Sequence, residues 1–231
     1  MKNETLHLVK SIIGAGMYEG EKKKLDASPD VKPLVTVSRY YGAAGSDVSN
    51  LLATRLGVQL YDKELLNAIV DATKGDKHLL TTLDERVTSL VDDILHSFFS
   101  KKSVNSEVYF RYMAKVILGI APLGGVIVGR AAHLVLPRNR AFRVRLEGSL
   151  STCAKRIAKR KDIKLDKAEK LVLKSNQSRD EFENHVAKRF PRAVQGFDLT
   201  INTDRFSPDA VVRIIVAAMT EAGFQVPVEK V

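Results

Sequence analysis

The run Leu34-Val35-Thr36-Val37-Ser38 is apolar and β-branched, and it breaks off into the turn Gly42-Ala43-Ala44-Gly45. Beyond the turn, Val48, Leu51, Leu52 and Leu56 recur at helical spacing until Gly57 supplies a stop. A strand this apolar has no polar face to offer to water and needs cover on both sides, so strand, glycine turn and helix together demand a layered α/β domain. Further short strands are predicted at Val58 to Tyr61, Gly125 to Val128, Phe142 to Leu146 and Asp198 to Asn202. Helical spacing lies between them, at Lys63 onward, along Leu83, Val87, Leu90, Ile94 and Phe98, over Glu107 to Leu118, and from Pro208 to about Ala222. Strands separated by helices predict a central parallel sheet with helices on both faces.

The chain has 231 residues, 45% of them hydrophobic and 28% charged, which suits one sizeable core. Its only cysteine, Cys153, excludes a disulfide framework and any zinc site built on two or more Cys ligands, and its helical setting predicts a buried structural thiol. No apolar run reaches the roughly 18 residues of a membrane helix, and residues 6–13 are broken by His7 and Lys10 rather than shaped as an export signal, so the expected location is the cytoplasm. Leu6, Val9, Ile13 and Met17 predict a short amphipathic helix, and the polar stretch from Glu19 to Pro33 reads as a linker. Residues 1–33 are therefore expected to be a helical extension and linker, and 34–231 the domain. The five histidines are scattered with no metal-ligand spacing.

The formal charge is +10, and residues 155–192 hold thirteen basic against six acidic side chains. Such a segment meets nucleic acid, an anionic surface or small phosphates, or is a solvated helix face.

The turn after the first strand exposes backbone N–H groups at a helix N-terminus, where the helix dipole also favours an anion. It is a candidate phosphate cradle formed by Gly42, Ala43, Ala44, Gly45, Ser46 and Asp47; the alternative is a turn that only lets helix and strand pack closely. Alignment of Gly45 with the second glycine of G-x-x-x-x-G-K-[ST] puts Tyr40, Ser46 and Asp47 at the first glycine, the lysine and the hydroxyl residue.

Val37-Ser38-Arg39-Tyr40-Tyr41-Gly42-Ala43-Ala44-Gly45, Leu56-Gly57-Val58, Tyr61-Asp62-Lys63-Glu64-Leu65-Leu66, Val128-Gly129-Arg130-Ala131-Ala132 and Ile201-Asn202-Thr203-Asp204 resemble, in order, the signatures of the cytidylate-kinase-like family, P-loop relatives of nucleoside monophosphate kinases. The resemblance implies a three-layer αβα fold with a helical lid, ATP as phosphoryl donor with Mg²⁺, and CMP, dCMP or another small acceptor. It implies that Arg130 grips substrate phosphate, that Arg179 is a lid arginine closing on the transferred group, and that the basic segment includes the lid. Asp62, at a strand end, is a contact to metal or acceptor, or else a cap of the following helix.

Ser46 stands where kinases of this kind carry a lysine, Ala131 stands where an aspartate follows the arginine, and Lys63 to Asn67 replace a small, polar acceptor-binding pattern. Arg39 is the nearest cation to take over the lysine's task, with Asp47 and Asp62 as its competing partners. A kinase, a nucleotide-binding pseudokinase with a regulatory role and a nucleic-acid-binding protein are the three functional readings, in that order. Nucleotides are the expected partners, nucleic acid and membrane are not, and the sequence leaves a homo-oligomer open.

Overall fold

The computed structural model describes residues 32–75, 106–188 and 196–227. The N-terminal helix and most of the linker expected from the sequence, and the stripe from Leu83 to Phe98, lie outside these residues. β1 (Leu34–Arg39) leads through the glycine turn into α1 (Gly45–Leu56). There follow β2 (Leu60–Tyr61), α2 (Lys63–Gly75), α3 (Ser106–Ile120), a single 3-10 turn at Ala121–Leu123, β3 (Gly125–Val128) and the one-turn α4 (Ala132–Val135). β4 (Phe142–Glu147), α5 (Leu150–Lys161), α6 (Leu165–Ala187), β5 (Leu199–Asn202) and α7 (Pro208–Glu221) complete the order. Val58 N–H donates to the Ala53 carbonyl in the stop of α1, so β2 starts two residues later than the apolar run suggests.

The five strands are parallel, in the order β2-β3-β1-β4-β5. The chain moves outward from β1 in one direction to β2 and in the other to β4, so the carboxyl end of β1 is the switch point at which open α/β sheets bind ligands. Alternation sorts the sheet's side chains into two cores. Val35, Val37, Val144 and Leu146 face the layer of α1, α5 and α7, whereas Leu34 and Ile127 face α2, α3 and α4. Among the described residues no helix is long and apolar enough to cross a membrane.

α6 belongs to both layers. Its 23 residues span about 35 Å at 1.5 Å per residue. Ala168 and Val172 near its start pack in the first core, and Val186 near its end packs in the second. The middle of the helix consequently passes over the carboxyl ends of the strands.

On the second face the strands turn polar toward that end, at Ser38, Arg143 and Arg145. His133 of α4 is buried there, with Nδ1 3.2 Å from Ser38 Oγ and its ring 4.6 Å from that of Phe197. Burial, reinforced by the charges of Arg143 and Arg145, holds the imidazole neutral down to about pH 4, against an ordinary pKa of 6.5. The unfolded chain therefore binds this proton first, and stability falls as pH drops from 6.5 to 4, by about 3 kcal/mol at the end of that window. Urea unfolding across this range should show that loss in the parent and not in His133→Gln; parallel pH profiles would contradict it.

Candidate functional site

The turn between β1 and α1 presents its backbone amides at a helix start. Gly42 has φ 89° and Ala44 φ 54°, both left-handed, and together they curl the backbone inward. Ala43 N–H closes the turn on the Tyr40 carbonyl and Val48 N–H makes the first helical bond to Ala44. The N–H groups of Gly42, Ala44, Gly45, Ser46 and Asp47 meet no acceptor among the described residues. Asp62 caps α2, Ser149 caps α5 and Ser207 caps α7, whereas α1 starts at Ala44 with no side-chain cap, as α4 and α6 also do at their own starts. An uncapped helix start beneath a row of unpaired amides concentrates partial positive charge at one point.

The two glycines of the turn serve different neighbours. A Cβ on Gly42 would stand 2.6 Å from the Cys153 carbonyl oxygen in α5, so this position lets loop and helix touch backbone to backbone. A Cβ on Gly45 would strike the stem of Arg39, at 2.5 Å from Cγ. Arg39 runs onward past Gly129, where a Cβ would collide with its guanidinium group. Its side chain thus lies in a channel between two glycines, from the glycine turn to the loop after β3.

Three guanidinium groups gather there. Arg179 of α6 donates from Nη1 to the Arg39 carbonyl at 2.6 Å and lies over the Tyr41 ring at 5.6 Å. Arg130 follows β3 in a run of left-handed residues, Gly129, Arg130 and Ala131 at φ 73°, 56° and 53°. The two residues with side chains cost about 1–2 kcal/mol each in that region, a strain that the surrounding packing sustains. Arg130 Nη2 donates to Asn67 Oδ1 at 2.9 Å. Among the described residues no carboxylate comes within ion-pair distance of Arg39. Burial lowers its pKa to about 10, and the charges of Arg179 and Arg130 push the same way, against the weaker pull of Glu64 and Glu183. Three guanidinium groups gathered at one point raise the local positive potential, which favours an anion there.

α5 and α6 close in around the turn. Asn176 Oδ1 accepts the Tyr41 N–H at 2.8 Å. Arg156 donates to the Gly42 carbonyl at 3.3 Å and to Thr203 at both its hydroxyl and its carbonyl, which ties the turn to the end of β5. Arg160 pairs with Asp47 at 3.0 Å on the exposed rim.

Of the residues singled out by sequence, Arg39, Arg130 and Arg179 meet at the carboxyl end of β1, next to Gly42 to Asp47. Neither expected competitor pairs with Arg39: Asp47 is held by Arg160, and Asp62 Oδ1 accepts the Leu65 N–H at 2.8 Å as the N-cap of α2. Cys153 is buried, and burial raises its thiol pKa, as a structural thiol requires. Sequence reasoning missed Asn176, Arg156, Arg160 and Glu183. The only signal available for Asn176 and Glu183 is their spacing from Arg179 along one helix face, three and four residues away.

The model of the cytidylate kinase-like family matches residues 34–205. The crystal structure of an uncharacterized protein from Eubacterium ventriosum superposes with a TM-score of 0.64 at 20% identity, covering 82% of this chain and 99% of that one. Shikimate kinase from Bacteroides thetaiotaomicron superposes with a TM-score of 0.44 at 13% identity, over 81% of this chain and 98% of that one. No curated protein matches the chain.

Proposed function

Because the chain belongs to the cytidylate kinase-like family, we propose that it transfers the γ-phosphoryl group of ATP to a nucleoside monophosphate of the CMP or dCMP type. The observation that carries this reading is the meeting of five unpaired amides with the Arg39, Arg130 and Arg179 guanidinium groups at the switch point of the sheet. The amides of Gly42 to Asp47 and the dipole of α1 would hold the triphosphate chain in place. Arg39, in the position to reach along that chain, would supply the charge that Ser46 does not. Arg130 and Arg179 would hold the acceptor phosphate and the moving group in line, since such transfers depend mainly on positioning and charge neutralisation.

A Mg²⁺ ion suits this site to the extent that such ions need one or two carboxylates besides the phosphates themselves. Asp47, in the first turn of α1, would be the carboxylate to hold it on release from Arg160; among the described residues no group of three His, Cys, Asp or Glu gathers as a metal cage. The ion would supply further neutralisation of phosphate charge. The activity is assigned to residues 34–231, in the cytoplasm.

A second reading, a nucleotide-binding pseudokinase, is favoured by one feature: the position of the usual lysine is occupied by uncharged Ser46, and Asp47 beside it is paired with Arg160. ATP, Mg²⁺ and a panel of nucleoside monophosphates, followed by ADP release, separate the two. Turnover with a cytidine nucleotide is the expected result. Thermal stabilisation by ATP without turnover on any acceptor would establish the pseudokinase, and neither effect would overturn both.

A further inference from the structure

α6 meets the carboxyl end of β1 through one polar stripe. Asn176 takes the Tyr41 N–H, Arg179 takes the Arg39 carbonyl, and Glu183, one turn further, uses both carboxylate oxygens. Its Oε1 accepts from Ser38 Oγ at 3.2 Å and its Oε2 from Arg145 Nη1 at 3.1 Å. Ser38 and Arg145 are paired across β1 and β4, so Glu183 is fastened to two adjacent strands at one level of the sheet.

Arg145 is itself held hard. Its side chain is 15% exposed, its Nε donates to Glu147 at 2.8 Å, its Nη2 stands 3.7 Å from Asp180, and its guanidinium lies over the Tyr40 ring at 4.7 Å and the Phe197 ring at 5.3 Å. An arginine stacked on two rings and shared among three carboxylates is a fixed point, and two of those carboxylates, Asp180 and Glu183, follow Arg179 on α6. A helix anchored by Glu183 in this way has a set rotation about its axis, and that rotation decides where a side chain four residues away points. Glu183 is also one of the two carboxylates whose charge opposes the mutual repulsion of the arginines around Arg39.

We propose that Glu183, seated on Ser38 and Arg145, is a positioning residue for Arg179: it fixes the rotation of α6 so that the Arg179 guanidinium is already at the phosphate turn when substrate arrives. This rests on the reading of the site as a phosphoryl-transfer centre. Both oxygens of Glu183 are engaged by Ser38 and Arg145, so its influence passes through Arg179 and through the field at Arg39.

A double-mutant cycle tests it, with ATP affinity measured by calorimetry and turnover measured with the acceptor that the panel identifies, or ATP affinity alone if no acceptor turns over. Glu183→Gln keeps the acceptor for Ser38 and removes the charge facing Arg145. It should lower turnover about 10-fold in the parent, or ATP affinity by a similar factor, yet change either by less than 2-fold in the Arg179→Ala background. Glu183→Asp should recover little, because a shorter side chain cannot reach both partners. If Glu183→Gln unfolds at assay temperature, Ser38→Ala takes its place in the cycle, with the same non-additivity expected. Equal effects with and without Arg179, or no effect in the parent, would overturn the positioning role while leaving the phosphoryl-transfer reading intact. Absence of ATP binding by the parent would overturn that reading instead, and with it the role of Glu183.

Discussion

Arg39→Ala should lower turnover 10²-fold or more, about 2.7 kcal/mol of transition-state stabilisation, the scale lost when one preorganised donor is removed. The charge that builds on the transferred group needs a cation close by, and Ser46 brings none. Arg39 is threaded between Gly45 and Gly129, with its stem on the phosphate turn and its guanidinium beside Arg130 and Arg179. Arginine grips two phosphate oxygens at once and stays charged at neutral pH even with its pKa lowered to about 10. The same substitution relieves repulsion among three clustered cations, so the melting temperature should stay level or rise. That combination marks a functional residue, since a purely structural arginine would lose stability and activity together. Ser46→Lys should leave activity intact or raise it, and should partly restore Arg39→Ala. Unchanged turnover in Arg39→Ala would refute the assignment, and a silent parent awakened by Ser46→Lys would show that catalysis was lost at position 46.

Gly42→Ala should destabilise the fold by about 2–5 kcal/mol, a large part of the 5–15 kcal/mol that holds a typical domain together. Two costs combine. A side chain at φ 89° is strained by about 1–2 kcal/mol, and its Cβ would press into the Cys153 backbone, at 2.6 Å from the carbonyl oxygen and 2.8 Å from Cα. Overpacking of that kind costs about 1–3 kcal/mol, and the backbone on the buried face of α5, at Cys153, has little room to move aside. Gly45→Val makes a telling contrast, because the first thing its side chain meets is the flexible stem of Arg39. It should displace that arginine and weaken ATP binding while the chain still folds. Urea unfolding of both variants, with calorimetry on the second, decides. A Gly42→Ala chain as stable as the parent would refute the tight seat of the turn on α5.

The sheet was legible because its strands are short apolar runs bounded by turn residues, and the two-residue period of β4, with Phe142, Val144 and Leu146 on one face and Arg143 and Arg145 on the other, even separates its faces. The glycine turn was legible for the same local reason. The partners of its side chains were not. Arg39 had two plausible carboxylates nearby in sequence, yet Arg160, 113 residues beyond Asp47, claims one, and Asp62 turns to its own helix. Asn176, Arg156 and Glu183 sit in a helical segment crowded with charge, where nothing local distinguishes a residue that touches the sheet from one that faces water. What sorts them is the crossing of α6 over the strand ends, a property of the assembled layers that no sequence window contains.

The double rooting of α6 also sets terms for traffic through the site. A helix pinned at Ala168 and Val172 in one core and at Val186 in the other cannot lift off as a free flap. Any opening of α6 over the proposed nucleotide site would have to be a pivot, giving up the anchors at one end while those at the other serve as the axle. Drawing a buried valine into water costs about 1.5–3 kcal/mol, and the Asn176, Arg179 and Glu183 bonds must be broken in the same stroke. In a chain that turns over as proposed, each cycle would thus contain a mechanical step with its own barrier, and where such a step is slower than bond making, the departure of product would set the pace.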